Sequence, residues 1–281
     1  MSGKRYSRVY LELTNICNRS CSFCPGTSRA PRVMNKEEAH FAIDRLRDYT
    51  DYIYFHLMGE PLTNPLLFDS IEYAAKEGIK CAVTTNGALL SRLGDRLIAS
   101  GVYKVNISLH SFEEGTDGEY RKYLYDCISF ADKASSMGVL TVIRLWNRGF
   151  DKGRNIDILK ELRSYFQDCE WTEGQRGARI RHKLHLEYGD RFSWPDLSAS
   201  ESCESVFCYG LSDHFGVLSD GSVVPCCLDS DGNLTLGNIF KNDLQQILSS
   251  ERAQKIKEGF ENRKPPEQLC KKCGYARRFK V

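Results

Sequence analysis

The sequence predicts an α/β fold in two parts: strands alternating with helices to about residue 190, then a small cysteine-bearing unit. Two observations carry this. Short apolar runs at Val9–Thr14, Tyr52–Met58, Lys80–Thr85, Lys104–His110, Leu140–Trp146 and Lys183–Tyr188 are separated by helical patterns. After Tyr188 the alternation stops. The helical patterns are Lys36–Asp48, Leu66–Glu77, Leu89–Ser100, Tyr120–Met137 and Ile156–Phe166, with Gly78, Gly101 and Gly138 where helices should stop. Such alternation implies βαβ units and a parallel sheet, either an open partial barrel or a doubly wound sheet. In both, chemistry gathers at the C-terminal strand ends.

The second part reads differently. Residues 190–207 are polar and irregular. Phe215–Leu218, a turn at Asp220-Gly221, and Val223–Pro225 form a hairpin. A single helix is expected from Asp243 to about Phe260, followed by a basic tail from Cys270.

With 281 residues, 41% of them hydrophobic, the chain can build one large domain and an appendage. The 39 basic and 37 acidic residues nearly balance, which argues against a protein that mainly coats nucleic acid. No run approaches the ~20 apolar residues of a membrane span, and the polar start, Met1 to Ser7, shows no signal-peptide core. A cytoplasmic location is expected. In a reducing compartment the 12 cysteines point to metal or redox chemistry and not to disulfides.

Cys17, Cys21 and Cys24 form a C-x3-C-x2-C loop just after the first strand. Three thiolates are one short of a closed cubane or zinc set, and an open metal position can take an outside ligand. With Phe23 before its third cysteine, the loop resembles the signature of the radical S-adenosylmethionine (SAM) superfamily. A zinc knuckle with a distant fourth ligand is the plainer alternative.

The resemblance implies a partial (β/α)6 TIM-like barrel over residues 1–190 and a [4Fe–4S] cluster on these three cysteines. Its open iron would chelate SAM, whose reductive cleavage releases a 5′-deoxyadenosyl radical. Cofactor contacts then follow on successive strand ends. Gly59-Glu60-Pro61 looks like the family's motif at the methionine amino group. Thr85 and Asn86 belong to a Thr-Asn-Gly ending seen near the cofactor. Alternation places Asn106, Ser108 and His110 on one face, with Ser108 at the family's cofactor-binding serine and His110 toward cofactor or substrate. Arg144 lies in an apolar strand and needs an anionic partner: the cofactor carboxylate, or Glu12 or Glu187.

The C-terminal cysteines resemble the twitch form of the SPASM domain, placing a β-hairpin, a helix and an auxiliary [4Fe–4S] cluster in residues 191–281. The implied ligands are Cys208, Cys226, Cys270 and Cys273, with Cys227 an alternative to Cys226; a structural zinc is the competing occupant. Cys81 and Cys127 read as small buried hydrophobes, and Cys169 and Cys203 as spare thiols.

The implied activity is hydrogen abstraction followed by oxidative, dehydrogenase-like modification of a polar small molecule or peptide residue. A ferredoxin or flavodoxin would supply electrons, and Asp190 or Glu187 would take a proton. Arg176, Arg179, Arg181, His182 and Lys183, with Arg277, Arg278 and Lys280, form basic stretches that could serve RNA or a nucleotide substrate. The rival outside enzymology is a zinc-binding recruitment module.

Overall fold

The computed structural model describes residues 6–279. Lys280 of the basic tail and the first five residues of the polar start lie outside the described residues. In chain order the elements are β1 (Arg8–Leu11), α1 (Lys36–Leu46), β2 (Tyr52–Phe55), α2 (Leu67–Lys76), β3 (Lys80–Thr85), α3 (Leu90–Ala99), β4 (Lys104–Ser108), α4 (Asp117–Ser136), β5 (Leu140–Arg148) and α5 (Arg154–Tyr165). Then come β6 (Thr172–Gly174), β7 (Gly177–Arg181), β8 (Leu184–Asp190), β9 (His214–Val217), β10 (Ser222–Val224), β11 (Gly237–Asn238), α6 (Leu244–Leu248), α7 (Glu251–Glu261) and α8 (Gln268–Lys271). The class is α/β with mainly parallel strand pairing, as expected.

The chain divides into two compact units. Among the described residues, the first comprises 6–20, 24–80 and 192–279. Its β1 pairs in parallel with β2 (Val9 beside Ile53) and with β9 (Val9 beside Phe215). β10 continues antiparallel from β9, and β11 from β10. The second unit comprises Cys21–Phe23 and Cys81–Arg191. Here β3, β4, β5 and β8 run parallel, and β7 and β6 add antiparallel strands.

Local chemistry explains the boundaries. Asn35 accepts the Glu38 amide while the Glu38 carboxylate accepts the Asn35 amide, so α1 begins with a reciprocal capping box. Thr116 and Glu119 do the same for α4. Gly78, Gly101 and Gly138 follow their helices at positive φ, as predicted. Val9, Leu11, Ile53, Phe55, Val105, Ile107 and Ile143 are fully or almost fully buried and form the strand contribution to the core.

Three expectations are corrected. The single helix from Asp243 to Phe260 is two, because the Ser250 hydroxyl accepts the Ala253 amide and starts α7 afresh. The fourth strand ends at Ser108, and His110 lies in a 3-10 turn, Leu109–Ser111, so its direction is set by that turn and not by strand alternation. The stretch read only as a basic surface contains β7, which pairs antiparallel with β6 just before it.

Replacing Asn35 by Ala should lower unfolding free energy by about 1 kcal/mol, the usual cost of a lost cap. Denaturant unfolding measures this, and cofactor cleavage should be unchanged.

Candidate active site

None of the twelve cysteines is in a disulfide. In the first unit, Cys17 and Cys24 are exposed, and the Cys24 thiol is pushed up by burial of its sulfur and then by nearby Cys17. The loop that carries them is fastened at its base. The Asn15 side chain donates to the Ala30 carbonyl at 2.9 Å and accepts the Arg32 amide at 2.7 Å.

Glu12 is the centre of this fastening. It sits between Leu11 and Leu13, and its side chain has no solvent exposure. Both its oxygens are 2.8 Å from Arg29 nitrogens, in a bidentate pair. The same carboxylate accepts the Met58 amide and the Ser219 amide, each at 3.1 Å. One buried anion therefore joins the cysteine loop, the segment entering Gly59-Glu60-Pro61, and the turn after β9. Arg29 also donates to the Ser230 carbonyl, and Asp231 accepts from Thr27 and the Ser28 amide. A charge inside an apolar strand was the sequence signal for this hub; the sequence considered Glu12 only as a partner for Arg144.

Gly59 has φ +75°, and a Cβ there would stand 2.5 Å from the Thr14 carbonyl oxygen. Only glycine lets this turn lie against the cysteine loop, where the Glu60 amide donates to the Ile16 carbonyl at 2.9 Å. Glu60 is buried and caps the Pro61–Thr63 turn through the Leu62 amide. Pro61 is buried beside it.

In the second unit, the Cys21 thiol donates to the Ser111 carbonyl at 3.5 Å. Ser22 and Glu113 are hydrogen-bonded, and Arg191 donates to the Ser22 carbonyl at 2.9 Å. Phe23 packs against His110, with ring centroids 4.9 Å apart. Burial lowers the His110 imidazole to about 4, so it is neutral near pH 7. Its Nδ1 stands 3.0 Å from the Arg144 carbonyl oxygen and receives the Trp146 amide at 3.3 Å. Thr85 accepts the Gly87 amide, while the Asn86 carbonyl accepts from Ser111 and Tyr123.

Ser108, Arg144 and Glu187 stand in register across β4, β5 and β8. Arg144 Nε is 3.5 Å from Glu187, and its guanidinium lies 4.7 Å from the Trp146 ring centroid. Glu187, one of the protein partners expected for Arg144, is thus within its reach. Asp190 is more exposed and stands 3.8 Å from Arg148.

The auxiliary cysteines converge within the first unit. The Cys226 thiol is pushed well up by burial and then by Cys208, Cys227, Cys270 and Cys273. Burial similarly raises Cys208 to about 11. Cys226 senses all four neighbouring thiols, whereas Cys227 interacts with the Tyr10 hydroxyl, Cys208 and Arg8. Cys203 packs on the small cluster of Val206, Cys273 and Ala276. Cys81 and Cys127 are buried, as expected of small hydrophobes. Among the described residues no group of three or more metal-type side chains is drawn into a closed ligand set. The donor chemistry nevertheless fits iron–sulfur ligation: thiols in no disulfide, with Cys208, Cys270 and Cys273 each near enough to raise Cys226, and three more on one short loop.

Three arginines of the basic stretches are engaged within their own units. Arg181 pairs with Asp132 at 2.6 Å, and Arg277 with Glu201 at 2.5 Å. Arg278 lies over Tyr275 and Phe192. No helix of the described residues is long and apolar enough to cross a membrane.

Comparison with known proteins agrees with this arrangement. A family model described as the radical SAM superfamily matches residues 11–163. The SPASM model, an iron–sulfur cluster-binding domain, matches residues 208–274. A probable GTP 3′,8-cyclase of Methanocella arvoryzae is 33% identical over 173 residues, covering 58% of this chain and 54% of that protein. An AdoMet-dependent heme synthase of Methanosarcina barkeri is 32% identical over 114 residues, covering 39% of this chain and 33% of that one. The chain thus spans about a third to a half of these relatives. Among solved structures, BtrN in complex with AdoMet and 2-DOIA superposes with a TM-score of 0.59 at 19% identity, over 96% of this chain and 93% of that one. Native anSMEcpe with bound AdoMet and Cp18Cys peptide gives 0.61 at 16%, over 95% and 86%. At these identities the likeness is one of fold.

Arg29→Met should cost about 3–5 kcal/mol, because it strands the buried Glu12 carboxylate. Adding Glu12→Gln should restore part of that loss in denaturant unfolding. His110 should keep a neutral imidazole signal at pH 6.0 in NMR of histidine-labelled protein, whereas a free imidazole is largely protonated there. Because its folded value is depressed, His110 favours folding above about pH 6.5, and that contribution is lost as pH falls toward 4.

Proposed function

The chain belongs to the radical SAM superfamily, and from that premise we propose that it oxidises a polar small molecule or peptide residue by hydrogen abstraction, passing an electron to its auxiliary cluster. Its cofactors are S-adenosylmethionine, a SAM-binding [4Fe–4S] cluster and an auxiliary iron–sulfur cluster. When bound, they supply the 5′-deoxyadenosyl radical and the electron acceptor.

The observation that carries the oxidative reading is that Cys208, Cys270 and Cys273 each raise the buried Cys226 thiol, and Cys208 and Cys273 raise Cys270. Four ligands close a cubane and leave no position for substrate, so electron transfer is the chemistry left to it. Cys226 is the fourth ligand on this reading, since Cys227 is turned to Tyr10. Cys17, Cys21 and Cys24 hold the other cluster and leave one iron open. Gly59, Glu60 and Pro61 shape the turn that receives the methionine end of the cofactor. Phe23, Thr85, Asn86, Ser108, His110 and Arg144 of the second unit are the further cofactor-binding residues on this reading. Neutral His110 can accept or donate one hydrogen bond without bringing a second positive charge near the sulfonium.

Glu187, half-exposed beside Arg144, is better held as the proton acceptor than the more exposed Asp190. On this reading residues 1–190 carry the radical chemistry and 191–281 the auxiliary cluster. The enzyme works in the cytoplasm and takes electrons from a ferredoxin or flavodoxin. Action on RNA or a nucleotide has less support, because arginines of the basic stretches are committed to Asp132 and Glu201.

Anaerobically reconstituted protein should hold about eight irons per chain and form 5′-deoxyadenosine under a strong reductant. Replacing Cys17, Cys21 and Cys24 by Ala should remove half the iron and all 5′-deoxyadenosine. Replacing the four auxiliary cysteines should remove the other half and spare cofactor cleavage. Colourless protein with stoichiometric zinc would establish the recruitment-module alternative instead.

A further inference from the structure

Basic side chains gather toward the N-terminal end of the second unit's parallel strands. There His182 and Lys183 make the turn between β7 and β8, and Arg179 stands beside His185 in the antiparallel register of those strands. The Lys183 carbonyl accepts the Thr141 amide, and the Tyr103 carbonyl accepts the Leu140 amide, so the starts of β4, β5 and β8 are held side by side. Lys183 Nζ lies 5.9 Å from the centre of the Tyr103 ring, and Lys104 is next in chain. Arg179 and His182 are exposed; Lys104, Lys183 and His185 are half-buried.

Other cations of this unit are paired: Lys122 with Asp126, Lys133 with Asp95, Arg163 with Glu173 and Arg181 with Asp132. Among the described residues, Arg179, His182, Lys183 and His185 have no carboxylate partner. Arg179 donates instead to the neutral Thr172 hydroxyl, at 3.4 Å. Residues 175–186 hold three arginines, one lysine and two histidines, and no acidic residue. The His185 imidazole is pushed down by burial first, and then by Arg179, Lys104 and His182, so all three stand close enough to act on it. Like charges opposite one another on neighbouring strands are destabilising. A face that merely meets water would intersperse both signs.

We propose that Lys104, Arg179, His182, Lys183 and His185 bind a phosphate group carried by a small molecule. Guanidinium, ammonium and imidazolium groups all donate to phosphate oxygens, and the guanidinium can do so twice. The strands that bear them, β4, β8 and β7, flank β5 within three spacings of about 4.8 Å each. That width suits one compact anion. A nucleic acid strand would also need open rings for its bases, and Tyr103 already lies beneath the Lys183 ammonium. The site is distinct from the cofactor end of the sheet: Lys104 opens β4 and Ser108 closes it, about 13 Å along the strand. It is independent of the oxidative reading.

Isothermal titration calorimetry on anaerobic holoenzyme at physiological ionic strength tests this. The probes are inorganic phosphate, glucose 6-phosphate, glucose and a single-stranded oligouridylate RNA. Both phosphate probes should bind saturably, and glucose should not. Arg179→Gln and Lys183→Gln should each weaken glucose 6-phosphate binding about tenfold. Arg176→Gln, in the turn at the other end of β7, should leave it unchanged. In histidine-labelled protein, saturating glucose 6-phosphate should shift the His185 imidazole resonance and leave that of His110 in place. Iron content and unfolding midpoint establish that each variant is folded and loaded. No saturable phosphate binding, equal binding of glucose, affinities indifferent to Arg179→Gln and Lys183→Gln, or tighter binding of the RNA that those variants abolish would overturn the proposal.

Discussion

The bidentate contact between Glu12 and Arg29 is the constraint on which the first unit's chemistry depends. A carboxylate with no solvent exposure is tolerable only when fully paired and hydrogen-bonded. Arg29 and the Met58 and Ser219 amides meet that demand, and in doing so they fix three segments distant in sequence. The cysteine loop, the Gly-Glu-Pro turn and the turn after β9 cannot drift apart without exposing an unpaired charge. Flexible thiol-bearing loops thereby acquire a rigid base, as a cluster with few protein ligands requires.

The same economy governs the second unit. His110 is stripped of its charge by burial and is held between Phe23 and the backbone of β5. Ser108, Arg144 and Glu187 form a polar row across three parallel strands, and Trp146 lies against the guanidinium. Ser108 closes β4, the end at which parallel α/β folds place their chemistry, while Arg144 and Glu187 lie midway along β5 and β8.

Much of this was legible in the sequence because it was local. Strand periods and stop glycines marked the core elements to within a few residues, and the cysteine spacings marked both thiol groups. What could not be read was pairing over long separations. The parallel contact of β9 with β1 joins residues some two hundred positions apart and leaves no local pattern. Glu12 was visible as an oddity, but its partner Arg29 was not. The two-helix form of Asp243 to Phe260 turned on whether Ser250 caps or continues a helix, which its type alone does not decide. His110 changed its role because the strand closed two residues earlier than alternation suggested.

The central claim is a cubane on Cys17, Cys21 and Cys24 with one iron open to S-adenosylmethionine. Iron-57 Mössbauer spectroscopy of protein lacking the four auxiliary cysteines tests it most directly. Adding S-adenosylmethionine should shift one iron in four to a higher coordination number and leave three unchanged. A spectrum indifferent to S-adenosylmethionine would contradict the account.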